Sequence, residues 1–238
     1  MRSCQTVGVP PATGVRERNR VETMTRLKEV ARQHLAEHGA AALSLRAITR
    51  DLGMVSSGVY RYVAGRDELL TLLIIDAYDA VGAAAEEAVA GSARRSPASR
   101  WVTVGSAVRA WALAHPHEYA LVYGSPVPGY AAPQDTIGPA TRATRALVGV
   151  VAEAHAAGRI AVATTPVPAG LRGDLVKIAG DLGVDLAPDV LARAMVAWTQ
   201  LFGLISFELF GQTRGAVTDH DALFTTALRS MAAFIGLE

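Results

Sequence analysis

A chain of 238 residues, half of them apolar and 19% charged, has the matter for a large core, and its lone cysteine, Cys4, excludes a disulfide scaffold or thiolate metal site within one chain. The net charge of +1 hides an uneven spread: eleven basic and five acidic residues stand before Asp67, giving +6, while 12 basic and 17 acidic residues follow, giving −5. A basic head on an acidic body suits a protein that meets a polyanion with one end.

Residues 1–20 carry Pro10, Pro11, two glycines and Arg16, Arg18 and Arg20; they read as a disordered basic arm and lack the apolar core of a signal peptide. From Val21 the pattern turns helical, with Met24, Leu27, Ala31, Leu35 and His38 at i, i+3, i+4 spacing. Gly39 stops that helix. Ser44 is suited to cap a second, short helix with Leu45, Ile48 and Leu52 on one face, ended by Gly53. A third helix is expected from Val55 or Ser56 to about Val63. A fourth follows Gly65, with Asp67 and Glu68 in its first turn, and stops at Gly91.

Ser96-Pro97 reads as a cap and first turn for a helix to His115, and Pro116 restarts a short helix to Tyr123. The four prolines and three glycines between Gly124 and Pro139 predict a loop. Helices are expected at 140–157, 171–182, 188–210 and 219–236. No stretch alternates as a strand does, so the fold class is all-α. The apolar run Met195 to Phe210, broken by Gln200, Ser206 and Glu208, reads as too short and too polar to cross a bilayer. A cytoplasmic protein with no membrane partner is expected. The mean hydropathy of +0.24 points to more apolar surface than a monomer needs, which an interface or cavity would use.

The second and third helices, joined by Gly53-Met54-Val55, have the spacing of a helix-turn-helix. Ile48, Leu52, Met54 and Val59 would pack the two together. Ser56, Ser57, Gly58, Arg61 and Tyr62 would then lie on the outer face, where a recognition helix enters the major groove. The stretch Leu27–Leu70 closely resembles the DNA-binding domain of the TetR family. The resemblance is carried by Glu37-His38-Gly39, Ser44-Leu45-Arg46-Ala47-Ile48, Leu52-Gly53, Val59-Tyr60-Arg61-Tyr62 and Asp67-Glu68-Leu69-Leu70. It implies that Ser44 caps its helix with the hydroxyl near a phosphate and that Arg46 belongs to the DNA face. It implies also that Tyr60 and Tyr62 form an aromatic pair, one touching phosphate and the other packing or reaching the backbone, and that Arg66 grips phosphate. Ser56 stands where many members carry Lys, Ser57-Gly58 replaces a Gly-Ala order, Val63 replaces a Phe and Gly65 a Ser; the operator sequence is therefore left open. Tyr60 has a second reading as a packing residue, and Arg61 is either solvated or reads a guanine.

Trp111 to Tyr130 resembles the regulatory domain of a TetR subgroup marked by a Trp, a His and a Gly in this region. That resemblance implies a small effector and dimerisation through the last two long helices. From the residues themselves, Leu191, Met195, Phe202, Ile205 and Leu209 form one helical stripe, and Leu223, Ala227, Met231 and Phe234 another. Two such helices from each subunit make a four-helix bundle, or else both stripes face their own core. Trp111, His115, Tyr119, Tyr123, Trp198 and Phe202 are candidate walls of an apolar ligand pocket, or ordinary core. His115-Pro-His117 has no third ligand at useful spacing, so no metal is expected, and no cofactor motif is present.

The domains are accordingly placed at 21–66 for the helix-turn-helix and 67–238 for effector binding and dimerisation. The function expected is a transcriptional repressor that binds double-stranded operator DNA as a homodimer and is released by a small-molecule effector. A constitutive DNA-binding protein without effector and a helical enzyme are the rivals.

Overall fold

The computed structural model describes residues 12–161 and 166–238. Among them every regular element is helical, as the pattern predicts: α1 Ala12–His38, α2 Leu45–Asp51, α3 Arg66–Gly91, α4 Pro97–Ala114, α5 Pro116–Tyr123, α6 Ile137–Ala156, α7 Ala169–Leu182, α8 Pro188–Leu209 and α9 His220–Ile235. One isolated antiparallel bridge joins Ile160 to Leu237. Contacts divide the chain into two units after Leu73, inside α3.

The caps act where the sequence places them. Ser44 accepts from the Ala47 N–H at 3.4 Å at the head of α2. Ser96 accepts from the Ser99 N–H at 3.3 Å, with Pro97 in the first turn of α4. Each satisfies a backbone donor that the helix leaves unpaired.

Three elements differ from expectation. The arm expected over 1–20 is helical from Ala12 onward, and residues 1–11 lie outside those described. Residues 16–20 are all exposed, so no apolar periodicity marks them; they extend a helix already nucleated, which costs far less than starting one. The helix expected after Val55 is a 3-10 helix, Ser56–Arg61, held by i→i+3 bonds from Gly58 N–H to Val55 O at 2.7 Å and from Tyr62 N–H to Val59 O at 2.8 Å. Ser-Ser-Gly is a poor helix-forming run, and so short a segment tolerates the tighter turn. The loop expected to Pro139 ends earlier: a 3-10 turn, Gln134–Thr136, leads into α6 at Ile137. Pro139 falls in the first turn, where its missing N–H forfeits no helical bond.

In the second unit α4 packs on α6 and α9, and α8 on α9. Trp101, Val104, Val108, Leu147, Val151, Leu201 and Leu228 are buried there. A Cβ on Gly105 would come within 2.5 Å of Leu228 Cδ2; glycine lets α4 and α9 approach. Arg109 ties three helices together, meeting both Glu208 oxygens at 2.7 and 2.6 Å and Asp221 at 2.7 Å. Helix α8 is longer than the apolar run read from the sequence: its 22 residues have the length and hydropathy of a membrane span. Leu191, Ala194, Ala197, Leu201 and Ile205 are at most 1% exposed, so one face of it packs into the core of the second unit.

Candidate nucleic-acid interface

The first unit builds a helix-turn-helix. Leu27, Ala31 and Leu35 of α1, Ile48 of α2, and Val59 and Val63 beyond the turn are buried, and α2 packs on α1 and on the 3-10 helix. The turn needs Gly53, whose φ of +66° is a left-handed value that side chains resist. Its N–H donates to Arg50 O at 3.0 Å and that of Met54 to Thr49 O at 2.9 Å. His34 of α1, buried, sits 2.6 Å from Asp51 Oδ2 at the end of α2. The hydrogen bond from His34 holds the Asp51 carboxyl below the usual range.

On the outer surface Ser44, Arg46, Ser57, Tyr60 and Arg61 are all exposed. Tyr60 is 62% exposed, so its reading as a core residue is overturned; Val59 beside it fills the interior instead. Tyr62 is half-buried. Ser56 opens the 3-10 helix, and Gly58, expected on the outer face, is buried instead, with Val55, Met54 and Arg61 side chains close about it. Arg46 and Arg61 make no hydrogen bond or ion pair through their side chains among the described residues. A surface concavity of about 640 Å³ is lined by Ser44, Arg46, Ala47, Arg50, Met54 and Val55. Arg50 was missed from the sequence; its i+4 spacing from Arg46 on α2 was the available signal.

Arg66 does not stand free. Its Nε donates to Leu43 O at 3.1 Å, its Nη2 to Ala40 O at 3.0 Å and Ala41 O at 3.3 Å, and its Nη1 to Asp67 at 3.1 Å. The guanidinium thus ties off two carbonyls of the short 3-10 turn Ala40–Ala42 and that of Leu43 after it, the residue before the Ser44 cap.

In the second unit four of the six candidate pocket residues come together. Tyr123 lies 5.0 Å from Tyr119 and 4.4 Å from Phe202 between ring centroids, and Trp198 lies 5.2 Å from Phe202. Tyr78, not among the pocket candidates read from the sequence, joins edge-on to Tyr123 at 5.9 Å. The Tyr119 hydroxyl bonds to Phe202 O at 3.0 Å and Ser206 Oγ at 2.9 Å, and burial pushes it up to about 12. Trp111 and His115 form a separate pair, stacked at 5.4 Å, with His115 exposed.

The candidate dimer stripes divide. Leu191, Phe202, Ile205 and Met231 are buried within the chain itself, Leu209 and Ala227 are half-buried, and Met195, Leu223 and Phe234 are exposed. The exposed apolar residues also include Val196, Phe207 and Phe210, which the sequence stripe omitted.

Comparison with known proteins fits this geometry. Residues 101–231 match the family described as tetracyclin repressor-like, C-terminal domain. An HTH-type transcriptional regulator of Mycobacterium tuberculosis is 40% identical over 235 residues, covering 98% of each chain. The crystal structure of a regulatory protein, SCO4313, superposes with a TM-score of 0.73 at 34% identity, covering 91% of this chain and 98% of that one. A Rhodococcus sp. RHA1 protein of unknown function shares the fold at a TM-score of 0.68 and 24% identity, covering 90% and 94%.

Proposed function

The chain belongs to the TetR-type family of transcriptional regulators, and from that premise we propose that it is a repressor binding operator DNA as a homodimer and releasing it when a small molecule binds its second unit. The family's members among its relatives are regulators rather than enzymes.

The observation that carries DNA binding is the exposed set Arg46, Arg50, Tyr60 and Arg61 around the capped helix α2. Arginines at such a face neutralise phosphates and read guanine edges, and Ser44 and Tyr60 supply hydroxyl donors to the backbone. Ser57 lies on the same exposed surface. Arg66 is assigned a positioning part, holding the turn that presents Ser44.

Dimerisation is supported by two exposed helical faces of identical spacing. Val196, Gln200, Gly203 and Phe207 on α8 repeat at i, i+4, i+7, i+11, as do Leu223, Ala227, Ser230 and Phe234 on α9. Exposed apolar side chains on two mutually packed helices suit the four-helix bundle of a symmetric dimer. The effector is placed at the aromatic cluster Tyr119, Tyr123, Trp198 and Phe202, whose apolar rings and few polar tips fit an apolar ligand. Release follows only from a ligand's difference in affinity between DNA-bound and free states.

The direct packing of those rings on one another favours a second reading, a constitutive DNA-binding protein without effector. The deciding experiment is a genomic DNA pull-down with the purified chain, followed by gel shifts on the recovered operator with and without small-molecule libraries. Recovery of a two-fold symmetric operator and loss of the shift with a defined compound support the proposal. Absence of any enriched sequence overturns it, and an operator insensitive to every compound leaves the constitutive reading.

A further inference from the structure

Helices α4 and α9 leave a concavity of about 320 Å³, within the range that holds small ligands. Its polar side is made by Arg95, Ser99, Thr103 and Arg229, and its apolar floor by Val102, Ala232 and Leu237. Among the described residues no carboxylate lines it, although acidic residues outnumber basic ones, 15 to 12, over residues 74–238.

The arginines of this unit serve in two ways, some held by a carboxylate and others not. Arg100, Arg109, Arg142 and Arg193 each face a carboxylate, Glu153, Glu208, Asp79 and Asp189 respectively, within 2.5–3.6 Å. Arg229 has no hydrogen bond or ion pair through its side chain among the described residues. Arg95 is aimed rather than neutralised: its Nη1 donates to Thr103 Oγ1 at 3.0 Å, which leaves the remaining N–H groups to a ligand. The floor is fixed from below. The Leu237 N–H donates to Ala232 O at 2.9 Å, and Ala161 N–H to Gly236 O at 2.9 Å beside the Ile160 bridge. Gly236 holds φ +90°, and a Cβ there would meet Arg193 and Ala161 at 2.7 and 3.1 Å.

We propose that this concavity binds a small organic carboxylate, its charge held between Arg95 and Arg229 and its apolar body on Val102, Ala232 and Leu237. A guanidinium fork matches a carboxylate in two parallel hydrogen bonds. The apolar floor distinguishes an organic acid from a bare anion. The site rests on the second unit alone, so its failure leaves the DNA-binding reading standing.

Isothermal titration of the full chain with benzoate and octanoate, beside benzyl alcohol, octanol and inorganic phosphate, tests it. The expected result is one carboxylate per chain, with each alcohol and phosphate at least about tenfold weaker. Arg229→Gln, at an exposed position, keeps the helical circular dichroism and weakens the carboxylate about tenfold. Val102→Phe, which fills the floor, abolishes binding. Carboxylate binding unchanged in Arg229→Gln overturns the proposal, as does an alcohol or phosphate that binds as well as the acid, or no binding of any acid.

Discussion

Arg66 separates two ways in which a basic residue can serve a DNA-binding unit. Its guanidinium makes three hydrogen bonds to the backbone carbonyls of Ala40, Ala41 and Leu43 and a fourth to Asp67. With 30% of the side chain exposed, each carbonyl bond contributes about 1 kcal/mol, below the value for a buried charged donor. The pair with exposed Asp67 adds less than about 1 kcal/mol. Arg66→Ala should therefore cost about 2–4 kcal/mol, a large share of the roughly 5–15 kcal/mol that holds a domain folded. Calorimetry should show a Tm lowered by about 5–15 °C. Fluorescence anisotropy against salt should show weaker DNA binding with the log–log slope unchanged, because no phosphate contact has gone. Arg66→Lys should rescue little, since an ammonium cannot serve the same carbonyls in a planar fork. A Tm unchanged by Arg66→Ala, with the salt slope reduced by about 0.9 and recovered by Lys, would make Arg66 a phosphate ligand and refute the reasoning.

Arg61→Ala should cost about 1–3 kcal/mol on the operator and little on random duplex; equal losses on both would place Arg61 at the backbone. Phe207→Asp and Phe234→Asp, on the exposed faces, should give folded monomers in sedimentation, whereas Phe202→Asp, buried, should unfold the second unit by stranding a charge. Folded dimers from both exposed-face variants would remove α8 and α9 from the interface. The Tyr119 hydroxyl, raised to about 12, is held in its neutral form by the fold. Its contribution is complete below about pH 10 and is lost as pH climbs from 10 towards 12. Tyr119→Phe should reduce the alkaline component of denaturation curves without abolishing it, because burial also raises Tyr123 and Tyr78; a variant with the wild-type pH profile would show the titration belongs elsewhere.

The sequence disclosed what local chemistry decides. Ser44, Gly53 and Ser96-Pro97 mark ends of elements because caps and turns are made within a few residues. It was blind to partners brought in from afar. Arg66 reads as a free cation until carbonyls 23–26 residues earlier in the chain close around it. The apolar periodicity of α8 and α9 shows that these helices bury a face, but not whether the neighbour is the chain itself. Phe202 and Met231 turn inward and Phe207 and Phe234 outward, a division that helix packing makes and spacing alone does not. Among the aromatics, Trp111 parts from Tyr119 and Tyr123 because α5 restarts at Pro116 with a new direction after His115, whose φ and ψ of −130° and 57° end α4.

The central claim, that the exposed basic face of the first unit grips operator DNA, is tested most directly by binding of the purified chain to its recovered operator across a salt series, with Arg46→Ala and Arg50→Ala alongside. The account predicts a log–log slope steeper than about −3, for at least about three to four neutralised phosphates, flattened by about 0.9 for each arginine that touches phosphate. A slope near zero, or one that neither substitution changes while affinity also holds, would contradict it.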